Sequence, residues 1–176
     1  MKYIYIVAVF FVWAFTPNKL AAEENNNNLE TRLIFLDVSK GWDTKYSGDF
    51  PQINPIPLPG IEQQLSAKWS VSLRAVGSLF YDEAKLDSVP LELKYRFTEA
   101  PKSFYVKGGL HHYKYKLAEK NLPFRETKGT GPSLALGWHS HNPGGFGYSV
   151  ETWYRPLKHS DVYGVSAMLS YGFNWF

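Results

Sequence analysis

The chain has 176 residues, a length suited to one domain, and no cysteine, which excludes a disulfide framework and thiolate chemistry. A formal charge of +3 is too small to argue for nucleic acid, and a mean hydropathy of −0.30 excludes a bundle of transmembrane helices. Aromatic residues nonetheless make up 17% of the chain, a load that suits strands turning one face to lipid and the other to polar contents.

The first element is a targeting segment. Lys2 precedes an unbroken apolar run from Tyr3 to Phe15, Thr16-Pro17-Asn18 breaks it, and Ala21-Ala22 offers small residues for cleavage. This reads as a secretory signal peptide, too short for a spanning helix, with cleavage expected after Ala22. Residues 23–28, E-E-N-N-N-N, read as a disordered spacer, and residues 29–176 as the folded domain.

Strands are then sought by period-two alternation, and turns by Gly, Pro, Asn and Asp. Leu29 to Ser39 has an extended composition but carries apolar residues on both faces. Asn54 to Gln63 is interrupted by Pro55, Pro57 and Pro59, so it is either a poor edge-like strand or part of a long loop. Six stretches alternate cleanly: Leu65 to Ala75, Val89 to Phe97, Phe104 to Leu117, Ser133 to His139, Phe146 to Arg155 and Val162 to Trp175. Counting the first two segments gives eight strands; seven or eight stays open at the N-terminal end. The connections 98–103 and 140–145 are tight, whereas 40–53, 82–88, 118–129 and 156–161 are expected to be longer loops at the other end. Short turns at one end and long loops at the other are the plan of an outer-membrane barrel.

One face of these strands is apolar and the other polar. The polar faces carry Lys68, Arg74, Glu92, Lys94, Arg96, Lys107, Glu151 and Arg155 among many Ser and Gly. An outer surface has no need of small residues, but the crowded interior of an eight-stranded barrel does. The opposite faces are aliphatic at mid-strand and aromatic near the ends (Trp69, Tyr95, Phe97, Trp138, Tyr154, Tyr163), as an apolar band with interfacial girdles requires. The expectation is an all-β, eight-stranded, antiparallel up-and-down transmembrane barrel, with charges inside and greasy residues towards lipid. The rival is a soluble β-sandwich or lipocalin-like barrel. In that rival Leu91, Leu93 and Leu136 would be buried, with Lys94 and Arg96 in water.

From about Trp69 onward the chain resembles the small eight-stranded outer-membrane proteins of the OmpX/Ail and OmpA transmembrane-domain type. The residues that carry the resemblance are L-E-L-K-Y-R-F (91–97), F-Y-V-K-G-G-L-H-H-Y-K-Y (104–115) and the ending V-S-A-M-L-S-Y-G-F-N-W-F (165–176). The resemblance implies an outer-membrane location, no cofactor, and loops that adhere to host surfaces or blunt complement. It also implies that the barrel-assembly machinery reads a terminal Phe, here Phe176. One departure is that Tyr171, Phe173 and Trp175 hold the lipid-facing phase, so Phe176 lies one step off it.

Candidate chemistry is sparse. His111 and His112 fall on opposite faces of a strand and cannot chelate one metal, and His139 and His141 show no third ligand. The stretch W-H-S-H-N, with Glu151 on the following strand, holds the parts of a hydrolase. Outer-membrane lipid A deacylases use a His-x-Ser-Asn motif with a Glu on a neighbouring strand. Here His139 and Ser140 are adjacent, which puts them on opposite sides of a strand. Gly144-Gly145-Phe146-Gly147 is no phosphate loop, since no helix follows.

The sequence therefore points to an outer-membrane barrel with a structural or surface-interaction role and no catalysis, cofactor or metal. Its expected partners are outer-membrane lipid and lipopolysaccharide, the barrel-assembly machinery, and a host-surface or envelope partner met through the loops; nucleic acid is not among them. The alternative is a lipid A-modifying enzyme using His139, Ser140 and Glu151.

Overall fold

The computed structural model describes residues 29–44, 49–54, 60–75, 84–117 and 125–174. The signal segment, the spacer and Phe176 lie outside the described residues. The strands are β1 (Glu30–Asp43), β2 (Asp49–Asn54), β3 (Gly60–Gln64), β4 (Trp69–Leu73), β5 (Ala84–Arg96), β6 (Lys102–Leu117), β7 (Arg125–His141), β8 (Phe146–Pro156) and β9 (Asp161–Asn174). All pairings are antiparallel, and β1 joins β9 from Glu30↔Asn174 to Asp43↔Val162, which closes the sheet on itself. β2 and β3 both pair with β1, at Trp42↔Asp49 to Asp37↔Asn54 and at Ile34↔Gly60 to Thr31↔Gln63, so they are two pieces of one stave. The barrel has eight staves. Closure gives the strand amides partners without help from water, which a bilayer core demands.

The two faces are inverted relative to a soluble protein. Leu91, Leu93 and Leu136 are 45%, 44% and 55% exposed, while Lys94 and Arg96 are 4% and 8% exposed. This is the opposite of what the soluble rival requires. The exposed wall is built from Val89, Leu110, Leu134, Val150, Val165 and Leu169, edged at its inner end by Trp69, Phe97, Phe104 and Phe146. A charge placed at mid-depth on that wall would cost roughly 2–4 kcal/mol.

Several sequence expectations need correction. The expected loop 40–53 is mostly strand, because β1 runs to Asp43 and β2 starts at Asp49. Its length was hidden by a bulge: the β1–β9 register shifts between Ile34 and Leu36, so Phe35 is the extra residue. Leu33 and Phe35 point outward before it, and Val38 after it. That phase change puts apolar residues on both apparent faces of Leu29 to Ser39. The expected loops 82–88 and 118–129 are also partly strand, since β5 begins at Ala84 and β7 at Arg125. Their outward residues beyond the apolar wall are charged, which reads as loop although the pairing continues. The clean alternation from Leu65 shrinks to Trp69–Leu73, because the backbone amides of Leu65 and Ser66 both donate to the Trp69 carbonyl and the amides of Lys68 and Trp69 donate to Ser66 Oγ, closing a turn. The Asn54–Gln63 segment resolves into the end of β2 and the whole of β3, with 55–59 outside the described residues.

The outer rim is uneven. β6 and β7 pair from Lys102↔Ser140 to Leu117↔Arg125, but β7 and β8 stop at Leu134↔Tyr154. β8 and β9 are joined by a turn in which the Leu157 amide donates to the Ser160 carbonyl at 2.8 Å. The β6–β7 hairpin therefore rises beyond the β8–β9 hairpin.

Candidate functional site

Inward charges from five staves meet near mid-barrel. Arg74, just beyond β4, points its guanidinium at Glu151 (2.6 Å), Glu92 (3.1 Å) and Asp37 (3.4 Å). Lys107 on β6 lies 2.8 Å from Glu151 and 3.9 Å from Glu92. Arg155 on β8 is 3.8 Å from Glu92 and donates from Nε to Ser133 Oγ at 3.2 Å. Ser133 in turn donates to Glu92 at 2.6 Å, and Tyr105 Oη donates to Glu151 at 2.9 Å. Three carboxylates are thus held among three cations, with Ser133 and Tyr105 as neutral donors to Glu92 and Glu151. Removing one partner from such a buried set leaves an uncompensated charge, which is why completeness matters more than the number of pairs.

Of the eight inward charges read from sequence, Arg74, Glu92, Lys107, Glu151 and Arg155 converge in this cluster; Lys68 falls in the β3–β4 turn instead of on a strand, and two others lie elsewhere in the lumen. Lys94 lies nearer the inner end, 2.9 Å from Glu62 and 4.4 Å above the Tyr105 ring. Glu62 also accepts from Ser70 Oγ at 2.8 Å. Arg96 donates to the Ala67 carbonyl and so ties the β3–β4 turn. At the inner mouth, Arg32 and Glu30 form a pair at 2.9 Å. They clasp the β7–β8 turn, with Arg32 donating to the Asn142 carbonyl and the Gly144 amide donating to Glu30.

The outer part of the lumen is filled differently. Leu86, Tyr113, Tyr115, Ala135, Trp153 and Val162 form a buried apolar cluster, with Leu157 packed against it. Its polar atoms are satisfied: Trp153 Nε1–H donates to Ser166 at 2.9 Å, Tyr115 Oη to Asp43 at 2.7 Å, and Tyr113 Oη accepts from the Lys158 amide at 2.8 Å. Inward glycines make the space for these rings. A Cβ at Gly164 would collide with the Trp153 indole, and one at Gly137 with the Tyr105 phenol.

The parts of a hydrolase do not assemble. His139 is buried against the Tyr105 ring (centroids 5.5 Å apart) and His141 (4.6 Å). Ser140 pairs in register with Tyr148, which is on the exposed wall, so its side chain leaves the strand on the other side from His139. The Glu151 carboxylate is occupied by Arg74, Lys107 and Tyr105. A cavity of about 20 Å³ lies between Lys94, Lys107, Glu62 and His139. It has room for about one water molecule and none for a substrate. Among the described residues no three His, Asp or Glu side chains group as a metal site.

Sequence reading missed Asp37, Glu62 and Tyr105 as members of the interior network. A usable signal existed. The inward list held Lys68, Arg74, Lys94, Arg96, Lys107 and Arg155 against only Glu92 and Glu151. Buried charge on that scale calls for further carboxylates, and the two poorly alternating N-terminal segments were where they could be.

No protein-family model matches the chain, and no curated protein matches it in sequence. Solved structures do match. The N-terminal β-barrel domain of Pseudomonas aeruginosa OprF aligns with a TM-score of 0.60 at 13% identity, over 82% of this chain and 97% of that one. Neisserial surface protein A aligns at 0.57 and 13% identity, over 85% and 100%. Ail, the attachment invasion locus protein of Yersinia pestis, in complex with the heparin analogue sucrose octasulfate, aligns at 0.56 and 18% identity, over 82% and 99%. With its closed antiparallel staves, apolar exterior and charged lumen, the chain has the fold of the small eight-stranded outer-membrane barrels of the OmpX/Ail and OmpA transmembrane-domain type.

Proposed function

We propose that this protein is an outer-membrane barrel of a Gram-negative envelope with a structural or surface-interaction role and no catalysis. The observation that carries the reading is the inside-out wall: Leu91, Leu93 and Leu136 outward, Lys94 and Arg96 buried. Only a solvent as apolar as hydrocarbon makes that arrangement favourable. In this reading residues 1–22 direct export, the barrel-assembly machinery reads Phe176, and Arg74, Glu92, Lys94, Arg96, Lys107, Glu151 and Arg155 form a structural plug. The filled lumen supports a scaffold over a pore. The outer rim is the interaction surface, and the complex of Ail with a sulfated sugar supports a host-surface partner for a barrel of this shape.

Fractionation with heat-modifiable gel migration tests the location. The protein is expected in the outer-membrane fraction, running faster unheated than boiled; recovery from the periplasm without detergent would end the reading. Purified protein in detergent is expected to leave lipid A acyl chains intact. Deacylation that disappears in His139→Ala would reinstate the enzyme reading.

A further inference from the structure

Two imidazoles stand together among cations at the inner end of the lumen. The rings of His139 and His141 are 4.6 Å apart, edge to face. Arg96 Nη1 lies 3.5 Å from His141 Nε2. The ammoniums of Lys94 and Lys107 stand 4.4 and 5.2 Å from the Tyr105 ring, and the His139 ring packs 5.5 Å from the same phenol. The cavity of about 20 Å³ lies where these groups meet. Its charged lining residues are Arg32, Lys94 and Lys107 against Glu62, so three positive charges face one negative. Glu30 and Glu151, which pair with Arg32 and Lys107, are not on its wall. His139 is buried, and its Nε2 has no hydrogen-bond partner among the described residues. Lys94 donates to both oxygens of Glu62, at 2.9 and 3.1 Å, and Lys107 donates to Glu151 at 2.8 Å. An ammonium has three N–H groups, so each lysine keeps at least one beyond these bonds.

We propose that this cavity is a binding site for one monatomic anion of the halide class, held by His139 Nε2–H and by the remaining N–H groups of Lys94 and Lys107. The site goes beyond the scaffold reading, because a plug of ion pairs alone needs no diffusible partner. Charge selects the sign of the ligand. A metal cation drawn to the two imidazoles would meet Lys94, Lys107 and Arg32 at close range, whereas an anion is favoured by all three. Space selects its size. Room for about one water molecule excludes sulfate, phosphate and organic carboxylates, and admits a halide, which is little larger than water. Water is the competing occupant. It would satisfy the donors but leave the surplus positive charge of the wall uncompensated, and buried charge without a counter-charge is costly. Neutral His139 suits the role, since it donates a hydrogen bond without adding to the charge that must be desolvated. Glu62 works against the anion, both by repelling it and by engaging Lys94, and so limits its affinity.

Crystals of the full-length barrel grown with bromide as the only halide test occupancy. An anomalous peak within hydrogen-bond reach of His139 Nε2 and Lys94 Nζ is expected. In solution the probe is chloride, varied at constant ionic strength with gluconate as the replacement, and the readout is urea unfolding in neutral detergent. The folded-to-unfolded ratio is expected to rise about tenfold for each tenfold rise in chloride above half-saturation, as one site on the folded state requires. His139→Phe is expected to flatten that dependence, whatever it does to stability itself. Glu62→Gln is expected to keep it and to move its onset to lower chloride. Sulfate is too large for the cavity and is expected to stabilise wild type and His139→Phe equally, through exclusion from the protein surface. A wild-type cavity without a bromide peak would mean that water fills it and would overturn the site, as would a chloride dependence that His139→Phe leaves intact. Should His139→Phe not fold, the bromide peak and the earlier onset in Glu62→Gln decide: both present support the site, and the loss of either overturns it.

Discussion

The middle of the lumen and its outer mouth solve one problem with opposite chemistries. At mid-barrel, Arg74, Lys107 and Arg155 are met by Asp37, Glu92 and Glu151, and each contact is directional. At the outer mouth, Leu86, Tyr113, Tyr115, Trp153 and Val162 fill the same cross-section by packing, with hydrogen bonds only at the edges of the rings. The charged layer fixes which stave faces which, because each ion is costly without its own partners. The apolar layer fixes no partner as strictly; its buried rings lower the local polarity beside the ionic contacts, which strengthens them to the extent that water stays out.

That division is broken most severely at Arg74. Its guanidinium serves three carboxylates from three different staves. Arg74→Ala is expected to cost about 3–5 kcal/mol, as removal of one member of a buried ionic set does. The cost would be read as a lower urea midpoint for the barrel folded in detergent micelles. Pairing it with Glu151→Gln is expected to recover part of the loss. An unchanged midpoint for the single variant would mean that the lumen is wet enough to solvate Glu92 and Glu151.

The apolar layer is probed by Trp153→Ala, which removes a ring packed against Gly164 and stacked with the Arg155 guanidinium. A loss of about 3 kcal/mol is expected from packing alone. If the layer also keeps water out, hydrogen exchange at the Glu92 and Glu151 amides will quicken in this variant. A stability loss without faster exchange there would separate the two layers and leave the outer one a simple filler.

How far these layers could be read from sequence depended on the regularity of each stave. On β6, β8, β9 and the Val89–Arg96 part of β5 the period of two separated the faces, so Lys107, Glu151 and Arg155 were legible at once. β1 escaped because the bulge at Phe35 reverses its phase, and with it went Asp37. Glu62 escaped because three prolines precede it, although its stave resumes at Gly60. Leu86 escaped for another reason: beyond the apolar wall the outward residues of β5 turn charged, and a strand that is polar outside no longer looks amphipathic. The same ambiguity hid the start of β7, where sequence reading assigned Glu126 and Lys128 to the loop 118–129. Hydrolase chemistry was suggested by W-H-S-H-N as a string. The pleat separates His139 from Ser140, and the ionic layer already occupies Glu151.

The mildest comparison uses one substitution in both layers. Tyr105 Oη donates to Glu151 inside the ionic layer, and Tyr115 Oη donates to Asp43 at the outer mouth, at 2.9 and 2.7 Å. By distance alone the second bond is the better one, and both acceptors are carboxylates. They differ in what else serves the acceptor and in how near water lies. Asp43 also accepts from Ser160 Oγ at 3.0 Å, in the turn at the rim, so solvent can replace the lost phenol. Glu151 is 1% exposed and held by Arg74 and Lys107 as well as Tyr105, away from the rim. Tyr105→Phe is therefore expected to cost about 2 kcal/mol, within the range for a bond to a charged group, and Tyr115→Phe about 1 kcal/mol or less. Equal losses in urea unfolding would mean that the outer layer gives the ions beneath it no shelter, whereas a larger loss at Tyr105 ties the strength of the ionic contacts to the dryness maintained above them.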